Sequence, residues 1–456
     1  MSVIETERLS KSFEEKEAVA GVDLVVESGV VCALLGPSGC GKTTTLRLIA
    51  GFERPDGGRV MIGDRLVAGE GTFVAPEQRR IGMVFQDYAL FPHMTVESNV
   101  AYALGRSPDA ARVREVLLLV GLEELGDRHP HELSGGEQQR VALARAMAPT
   151  PEVILLDEPF SNLDAALRAR VRREMRDILL AAEMTALFVT HDQEEALSLA
   201  DRVAVMRDGR IEQEGTPEEI YGRPRTRWVA DFLGDAEIVP GIAGGGAVEC
   251  ELGRFPIPKE LEGTVDVLVR PESVALGAGH APGRDRSQEG VVVAREYYGH
   301  DQLVEVELAS GRHLRSRSMG FPIWHPGDRV RVWIDGPVNA LAAPSASVPE
   351  PLPPTADYGA GMKLYVCWGT FGNAPRPGGH PCGTAYHALK AAGHDPEVVK
   401  SYGWTILPSF MNSSRGRKEV KELTGKETVP VLVTDEGDVI TESRVIADWA
   451  KAHPAT

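Results

Sequence analysis

The spacing of hydrophobic residues changes three times along this chain, and each change marks a different kind of segment. Up to residue 235, short unbroken apolar runs alternate with helical patterns. Val30-Val31-Cys32-Ala33-Leu34-Leu35, Val153-Ile154-Leu155-Leu156 and Ala186-Leu187-Phe188-Val189-Thr190 predict buried strands. Residues 44–50 and 141–147 have helical spacing, and Arg207-Asp208-Gly209-Arg210 has the chemistry of a hairpin turn. From 236 to 341 the pattern turns to period two, as in Val265-Asp266-Val267-Leu268-Val269-Arg270, Gln302-Leu303-Val304-Glu305-Val306-Glu307-Leu308 and Arg329-Val330-Arg331-Val332-Trp333-Ile334. Glycines and prolines punctuate these short strands, which predicts a small all-β barrel. Residues 342–361, rich in Pro, Ala and Ser, read as a semi-extended linker. Beyond it, from 362 to 456, strands at 363–367, 397–400, 431–434 and 438–440 and helices at 382–392, 418–423 and 442–449 run in the order βαβ then ββα.

Length and composition permit this division. The 456 residues, 43% of them hydrophobic, can fill about two to four domain cores. A net charge of −17 argues against a nucleic-acid partner, because counterion release needs a basic surface. No apolar run approaches the roughly 18 residues that cross a bilayer. Met1-Ser2-Val3-Ile4-Glu5 carries neither the basic nor the apolar region of a signal peptide. Cys32, Cys40, Cys250, Cys367 and Cys382 are odd in number and scattered, which makes no disulfide framework and suits a reducing cytoplasm.

The chemistry concentrates in loops that follow the apolar runs. Gly36-Pro37-Ser38-Gly39-Cys40-Gly41-Lys42-Thr43 lies between a strand and a helix that begins near Thr44, the context of a phosphate-binding loop. Glycines let backbone N–H groups turn toward a phosphate, and the helix N-terminus adds its partial positive charge. Lys42 is the candidate for the β- and γ-phosphates, and the Thr43 hydroxyl for Mg²⁺. Asp157 and Glu158 end another strand. Asp157 is placed to hold Mg²⁺ through water, and Glu158 to orient or deprotonate the water that attacks the γ-phosphate. Paired carboxylates at a strand end also suit a solvated turn, so this pair does not decide the matter alone.

Leu133-Ser134-Gly135-Gly136-Glu137-Gln138-Gln139-Arg140 settles the reading, since the chain here resembles the ATPase subunit of an ATP-binding-cassette (ABC) transporter. The resemblance implies an α/β P-loop NTPase domain over 1–235. It also implies that Ser134, Gly135, Gly136 and Gln138 bind the γ-phosphate of ATP held by the opposite subunit. Gln86 matches the glutamine that links Mg²⁺ to the membrane subunits, Asp164 in Ser161-Asn162-Leu163-Asp164 the loop at the dimer seam, and His191 the switch histidine. Phe13 lies where that family sets an aromatic ring against adenine. A single cassette is present, so the resemblance implies a homodimer acting on a separate permease with a solute-binding protein, peripheral on the cytoplasmic side of the inner membrane.

Arg270-Pro271-Glu272 and the strands around it resemble the regulatory, OB-like barrel behind ATPases that import iron, polyamines, sulfate, molybdate, thiamine or sugars. The runs 126–133 and 159–166 look most like ferric-iron importers, with polyamine and thiamine relatives as alternatives. The tail resembles the thioredoxin-like fold of glutaredoxins and of the N-terminal half of glutathione transferases. In that resemblance Val429 and Pro430 occupy the cis-proline position, and Glu442 and Ser443 hold the γ-glutamyl end of glutathione. Cys382 aligns with the second cysteine of a C-P-x-C motif, whose first position here is Gly379. Dithiol exchange lacks its attacking thiol, whereas a thiol- or glutathione-sensing role does not need it. A different class, a redox-regulated protein using the cassette as a nucleotide-gated dimeriser, stays open at this point.

Overall fold

The structure is a computed structural model that describes residues 2–14, 16–278, 287–342, 363–367, 381–394, 396–401, 431–434, 439–441 and 443–453. It divides into two units, Met1–Ser345 and Ala346–Thr456. The first unit opens with a long hairpin, β1 (Ser2–Phe13) and β2 (Lys16–Glu27), followed by β3 (Val31–Leu35) and α1 (Lys42–Ala50). Next come β4 (Gly57–Ile62), β5 (Arg65–Gly69), β6 (Thr72–Phe73) and β7 (Ile81–Val84). A helical stretch holds α2 (Val96–Tyr102), α3 (Ala110–Leu119) and α4 (Gly135–Met147). Then β8 (Val153–Asp157), α5 (Ala165–Ala181), β9 (Ala186–Thr190) and α6 (Gln193–Leu199) alternate. The hairpin β10 (Arg202–Arg207) and β11 (Arg210–Gly215) leads to α7 (Pro217–Gly222) and α8 (Arg227–Phe232).

The central sheet has the order β11-β10-β3-β9-β8-β7, parallel except for the edge strand β11. The inner strands β3, β9 and β8 are buried along their whole length because both faces are covered. Val31, Ala33 and Leu35 pack into the helical layer, while Cys32 and Leu34 point to α1 and the antiparallel sheet β2-β1-β4-β5-β6. The strands β7, β8, β9 and β3 are neighbours, so the loops at their carboxyl ends converge on one edge. That edge is where ligands bind in open α/β sheets. Asp208 and Gly209 both have positive φ (47° and 79°), the turn expected at this hairpin.

Ten strands follow: β12 (Glu237–Gly244), β13 (Ala247–Cys250), β14 (Gly253–Pro256), β15 (Gly263–Val269), β16 (Val274–Gly277), β17 (Gln288–Tyr297), β18 (Asp301–Leu308), β19 (His313–Met319), β20 (Arg329–Ile334) and β21 (Asn339–Ala342). They form two five-stranded antiparallel sheets, β14-β13-β12-β15-β21 and β16-β20-β17-β18-β19. Both sheets feed one core, with Val239, Val267, Val292, Val306, Trp324 and Val332 inside it. The alternation of Val with Asp, Glu and Arg in the sequence is this inside–outside pattern.

In the second unit, β22 (Lys363–Cys367), β23 (Glu397–Ser401), β24 (Val431–Val433) and β25 (Val439–Thr441) form a sheet of order β23-β22-β24-β25. β22 runs parallel to β23 and antiparallel to β24. The helices α9 (Pro381–Ala391) and α10 (Ser443–Ala452) pack Ala385, Leu389, Ile446 and Ala450 against Leu364 and Leu432. The βαβ and ββα order is the one expected of a thioredoxin-like domain. The helix expected at 418–423 lies outside the described residues.

Candidate functional site

The phosphate loop runs from the end of β3 into α1, and its glycines are required by close approaches. Gly41 has φ 107°, and a Cβ there would lie 2.1 Å from the Ala18 carbonyl oxygen. At Gly36 a Cβ would lie 2.3 Å from the Met206 carbonyl oxygen. No side chain caps α1, so its first N–H groups remain for a ligand. Lys42 is 5% exposed and folds back to donate to the Gly36 and Pro37 carbonyls at 2.8 and 3.0 Å. Phe13, Ser38, Gly39, Gly41, Lys42, Thr43, Thr44 and Glu158 line one cleft of about 330 Å³, together with Lys16 and Ala18. Gly36, Pro37 and Cys40 shape the loop from behind and are not part of that lining. Burial pushes the Cys40 thiol above its ordinary value.

At the end of β8, Asp157 accepts a hydrogen bond from the Thr43 hydroxyl at 3.2 Å. Its burial raises the carboxyl above the usual range, and the Glu158 charge adds to the effect. A buried carboxylate and a hydroxyl form an all-oxygen donor set, which fits a hard cation such as Mg²⁺. Glu158 holds a left-handed backbone (φ 43°), a conformation costing on the order of 1–2 kcal/mol for a side-chain-bearing residue. Its carboxylate lies 3.2 Å from His191 Nδ1, which comes from the loop after β9. Strain at this strand end therefore turns Glu158 toward both the cleft and the histidine.

The remaining expected residues stand outside the cleft lining. Ser134 caps α4, donating through Oγ and backbone N–H to Glu137 Oε2 at 2.7 Å each, which holds that carboxyl below its ordinary value. Gln138 spends its amide donor on the Pro130 and Leu133 carbonyls, at 3.0 and 3.2 Å. A Cβ at Gly136 would lie 2.8 Å from Val171 Cγ2, and one at Gly135 3.1 Å from Leu163 Cδ2. These two glycines thus have a packing reason as well as the donor role read from the sequence. Gln86 follows β7, and its carbonyl accepts from Asn162 Nδ2 at 2.8 Å. Asp164 caps α5 through the Leu167 N–H at 3.0 Å. Lys16 and Arg168 carry no local signal as site residues. Asn162 lies inside the recognised seam-loop motif, but only Asp164 of that motif has a role readable from the sequence.

In the tail, Cys382 falls in the first turn of α9 and Ser443 opens α10. Val429, Pro430 and Glu442 lie outside the described residues.

Similarity to known proteins now bears on this geometry. A model of the ABC transporter family matches residues 19–161. An Fe(3+) ions import ATP-binding protein of Mesorhizobium japonicum is 47% identical over 315 residues, 68% of this chain and 88% of the relative. The chain belongs to the ATP-binding subunits of ABC transporters. An Fe(3+) ions import ATP-binding protein of Rhodococcus jostii is 47% identical over 354 residues, 75% of this chain and 99% of the relative. A sulfate/thiosulfate import ATP-binding protein of Xylella fastidiosa is 46% identical over 325 residues, 67% of this chain and 92% of the relative. A TOBE domain model matches residues 267–337, and one of the glutathione S-transferase N-terminal domain matches 389–453. The chain is thus an ABC ATPase that binds ATP with Mg²⁺, hydrolyses it, and works as a cassette dimer with a permease. Among the described residues no helix is long and apolar enough to cross a membrane.

Proposed function

We propose that this ABC ATPase powers Fe³⁺ import, with a cassette over 1–235, a regulatory barrel over 236–341, a linker over 342–361 and a thioredoxin-like domain over 362–456. The high identity to Fe(3+) import ATP-binding proteins across both cassette and barrel carries the reading. Two copies close on two ATP molecules at the cytoplasmic face of the membrane, beside a permease fed by a solute-binding protein. From one copy, Phe13 meets the adenine, while the loop Gly36 to Thr44 and Lys42 receive the phosphates. Thr43, Asp157 and Gln86 would hold Mg²⁺, which when bound would supply Lewis-acid stabilisation of the phosphate oxygens. Glu158 takes the proton of the attacking water, and His191 steadies Glu158 and the γ-phosphate. Ser134, Gly135, Gly136 and Gln138 of the other copy complete the site, with Asp164 at the seam. The cleft supports this division, since it gathers Lys42, Thr43 and Glu158 while the α4 N-terminus stands apart from it.

The test is uptake of radiolabelled Fe³⁺ in cells carrying the native chain or Glu158→Gln. Loss of uptake in the mutant alone is expected. Unchanged uptake would move the solute to an oxyanion, the second reading, which the sulfate/thiosulfate relative favours. For the tail, the glutathione S-transferase match over 389–453 supports a glutathione site built from Val429, Pro430, Glu442 and Ser443 that tunes turnover, with Cys382, which precedes the matched segment, as its thiol. Equal ATP turnover with and without glutathione would remove that role. The purely redox reading loses ground because the relatives match the cassette and barrel.

A further inference from the structure

The Glu158–His191 pair is tied from behind by one guanidinium. Arg168 lies near the start of α5, just past Asp164. Its Nη2 donates to the Leu163 carbonyl at 2.9 Å, and its Nη1 donates to Asp192 Oδ2 at 3.3 Å. Nε faces Glu195 Oε1 at 3.9 Å without a hydrogen bond, so that contact is of charge alone.

The partners belong to different loops, and each loop is itself anchored. Leu163 sits in the seam loop, where the Ser161 hydroxyl donates to the Glu158 carbonyl at 3.0 Å and Asn162 holds the Gln86 carbonyl. Asp192 follows His191 and caps α6 through the Glu195 N–H at 3.2 Å. The Thr190 hydroxyl donates to the buried Glu195 carboxylate and accepts from the Asp192 N–H at 3.0 Å. Contacts therefore run from Glu158 through Ser161 and Leu163 to Arg168, on to Asp192 and His191, and return to Glu158 at 3.2 Å.

We propose that Arg168 is a positioning residue for ATP hydrolysis, holding the seam loop and the histidine loop in one register and so setting the Glu158–His191 contact. The proposal rests on the reading of Glu158 and His191 as the hydrolytic pair. Arg168 does not line the nucleotide cleft, so it acts through these loops. A planar fork serves a carbonyl and a carboxylate at once, whereas a lysine ammonium is a single point charge on a flexible stem. The side chain is 29% exposed, which leaves its place reachable from solvent.

Steady-state Mg-ATP hydrolysis and binding of a non-hydrolysable ATP analogue test this in the full chain, for Arg168→Ala, Arg168→Lys and Glu158→Gln. Arg168→Ala is expected to lower kcat by about 10–100-fold while KM and analogue affinity stay within about twofold. Millimolar guanidinium should restore part of the lost kcat in Arg168→Ala, and Arg168→Lys should fall between it and wild type. Loss of kcat and analogue affinity together, with no guanidinium rescue, would make Arg168 merely structural and overturn the proposal. Wild-type kcat in Arg168→Ala beside an inactive Glu158→Gln would also overturn it, leaving the hydrolytic pair intact. Wild-type turnover in Glu158→Gln would instead remove the reading beneath it.

Discussion

Replacing Arg270 by Met should uncouple the barrel from the cassette. Arg270 is 7% exposed and reaches out of the barrel toward the last helices of the ATPase domain. Its Nη1 donates to the carbonyls of Ala230, Gly234 and Asp235 at 3.0 Å each, and its Nη2 to that of Tyr221 at 3.2 Å. The guanidinium also lies 4.2 Å over the Tyr221 ring. Burial, with the Glu272 carboxylate that the Tyr221 hydroxyl meets at 2.5 Å, pushes that phenol up to about 12 and keeps it a neutral donor. Nη1 has two N–H bonds for three carbonyls, so the four contacts amount to about three charge-assisted hydrogen bonds of roughly 1.5 kcal/mol each. Nε makes no hydrogen bond, a desolvation cost of about 2 kcal/mol, which leaves a net of about 2–3 kcal/mol. For a domain of the barrel's size this corresponds to about 10–15 °C in unfolding temperature. Calorimetry of Arg270→Met should show a barrel transition shifted down by that amount and separated from the cassette transition. New protease sensitivity around 233–236 should accompany it. A single transition at the wild-type temperature, with unchanged protease resistance, would refute the reasoning.

Three further outcomes are expected. Glu158→Gln should cut ATP hydrolysis by on the order of 10²–10³, the cost of losing one preorganised group, while a non-hydrolysable analogue binds as before. Near wild-type turnover would take Glu158 out of its role. Folding raises the Asp157 carboxyl, so its stabilising share exists below the ordinary carboxylate range and is lost as pH rises through the folded value. At neutral pH without Mg²⁺, Asp157→Asn should therefore unfold at a higher temperature than wild type yet hydrolyse ATP far more slowly, and an unfolding temperature below wild type would reverse that sign. Gly41→Ala should lose nucleotide binding by titration with a fluorescent ATP analogue. A Cβ there meets the Ala18 carbonyl at 2.1 Å in a left-handed backbone, so wild-type affinity would show that the loop is not held as described.

What could be read from the sequence follows from how local each signal is. β3, β8 and β9 are unbroken apolar runs because both sheet faces are covered, and their carboxyl-end loops carry glycine or paired charge. The β1–β2 hairpin was not legible. Its outer face is polar, and bulges at Thr6/Leu9 and Lys11/Ser12, with Arg8 at φ 43°, interrupt the alternation. α5 was missed because its run of arginines masks the few residues, such as Val171 and Met175, that face the core. The packing reason for Gly136 depends on Val171, which is distant in sequence, and the Arg168 contacts join two loops that only the parallel sheet brings together. The tail's fold order was legible from its alternating patterns.

The central claim is that each ATP is held by the Lys42 loop of one chain and the Ser134 signature of another. Photocrosslinking tests it most directly. A full-length chain is mixed with a size-tagged copy carrying Lys42→Ala, which cannot take nucleotide on its own loop, and a γ-phosphate-photoreactive ATP is added. The two-chain site predicts label on the Ser134 peptide of the tagged Lys42→Ala copy. Label confined to the full-length chain, with none on the tagged copy, would contradict it.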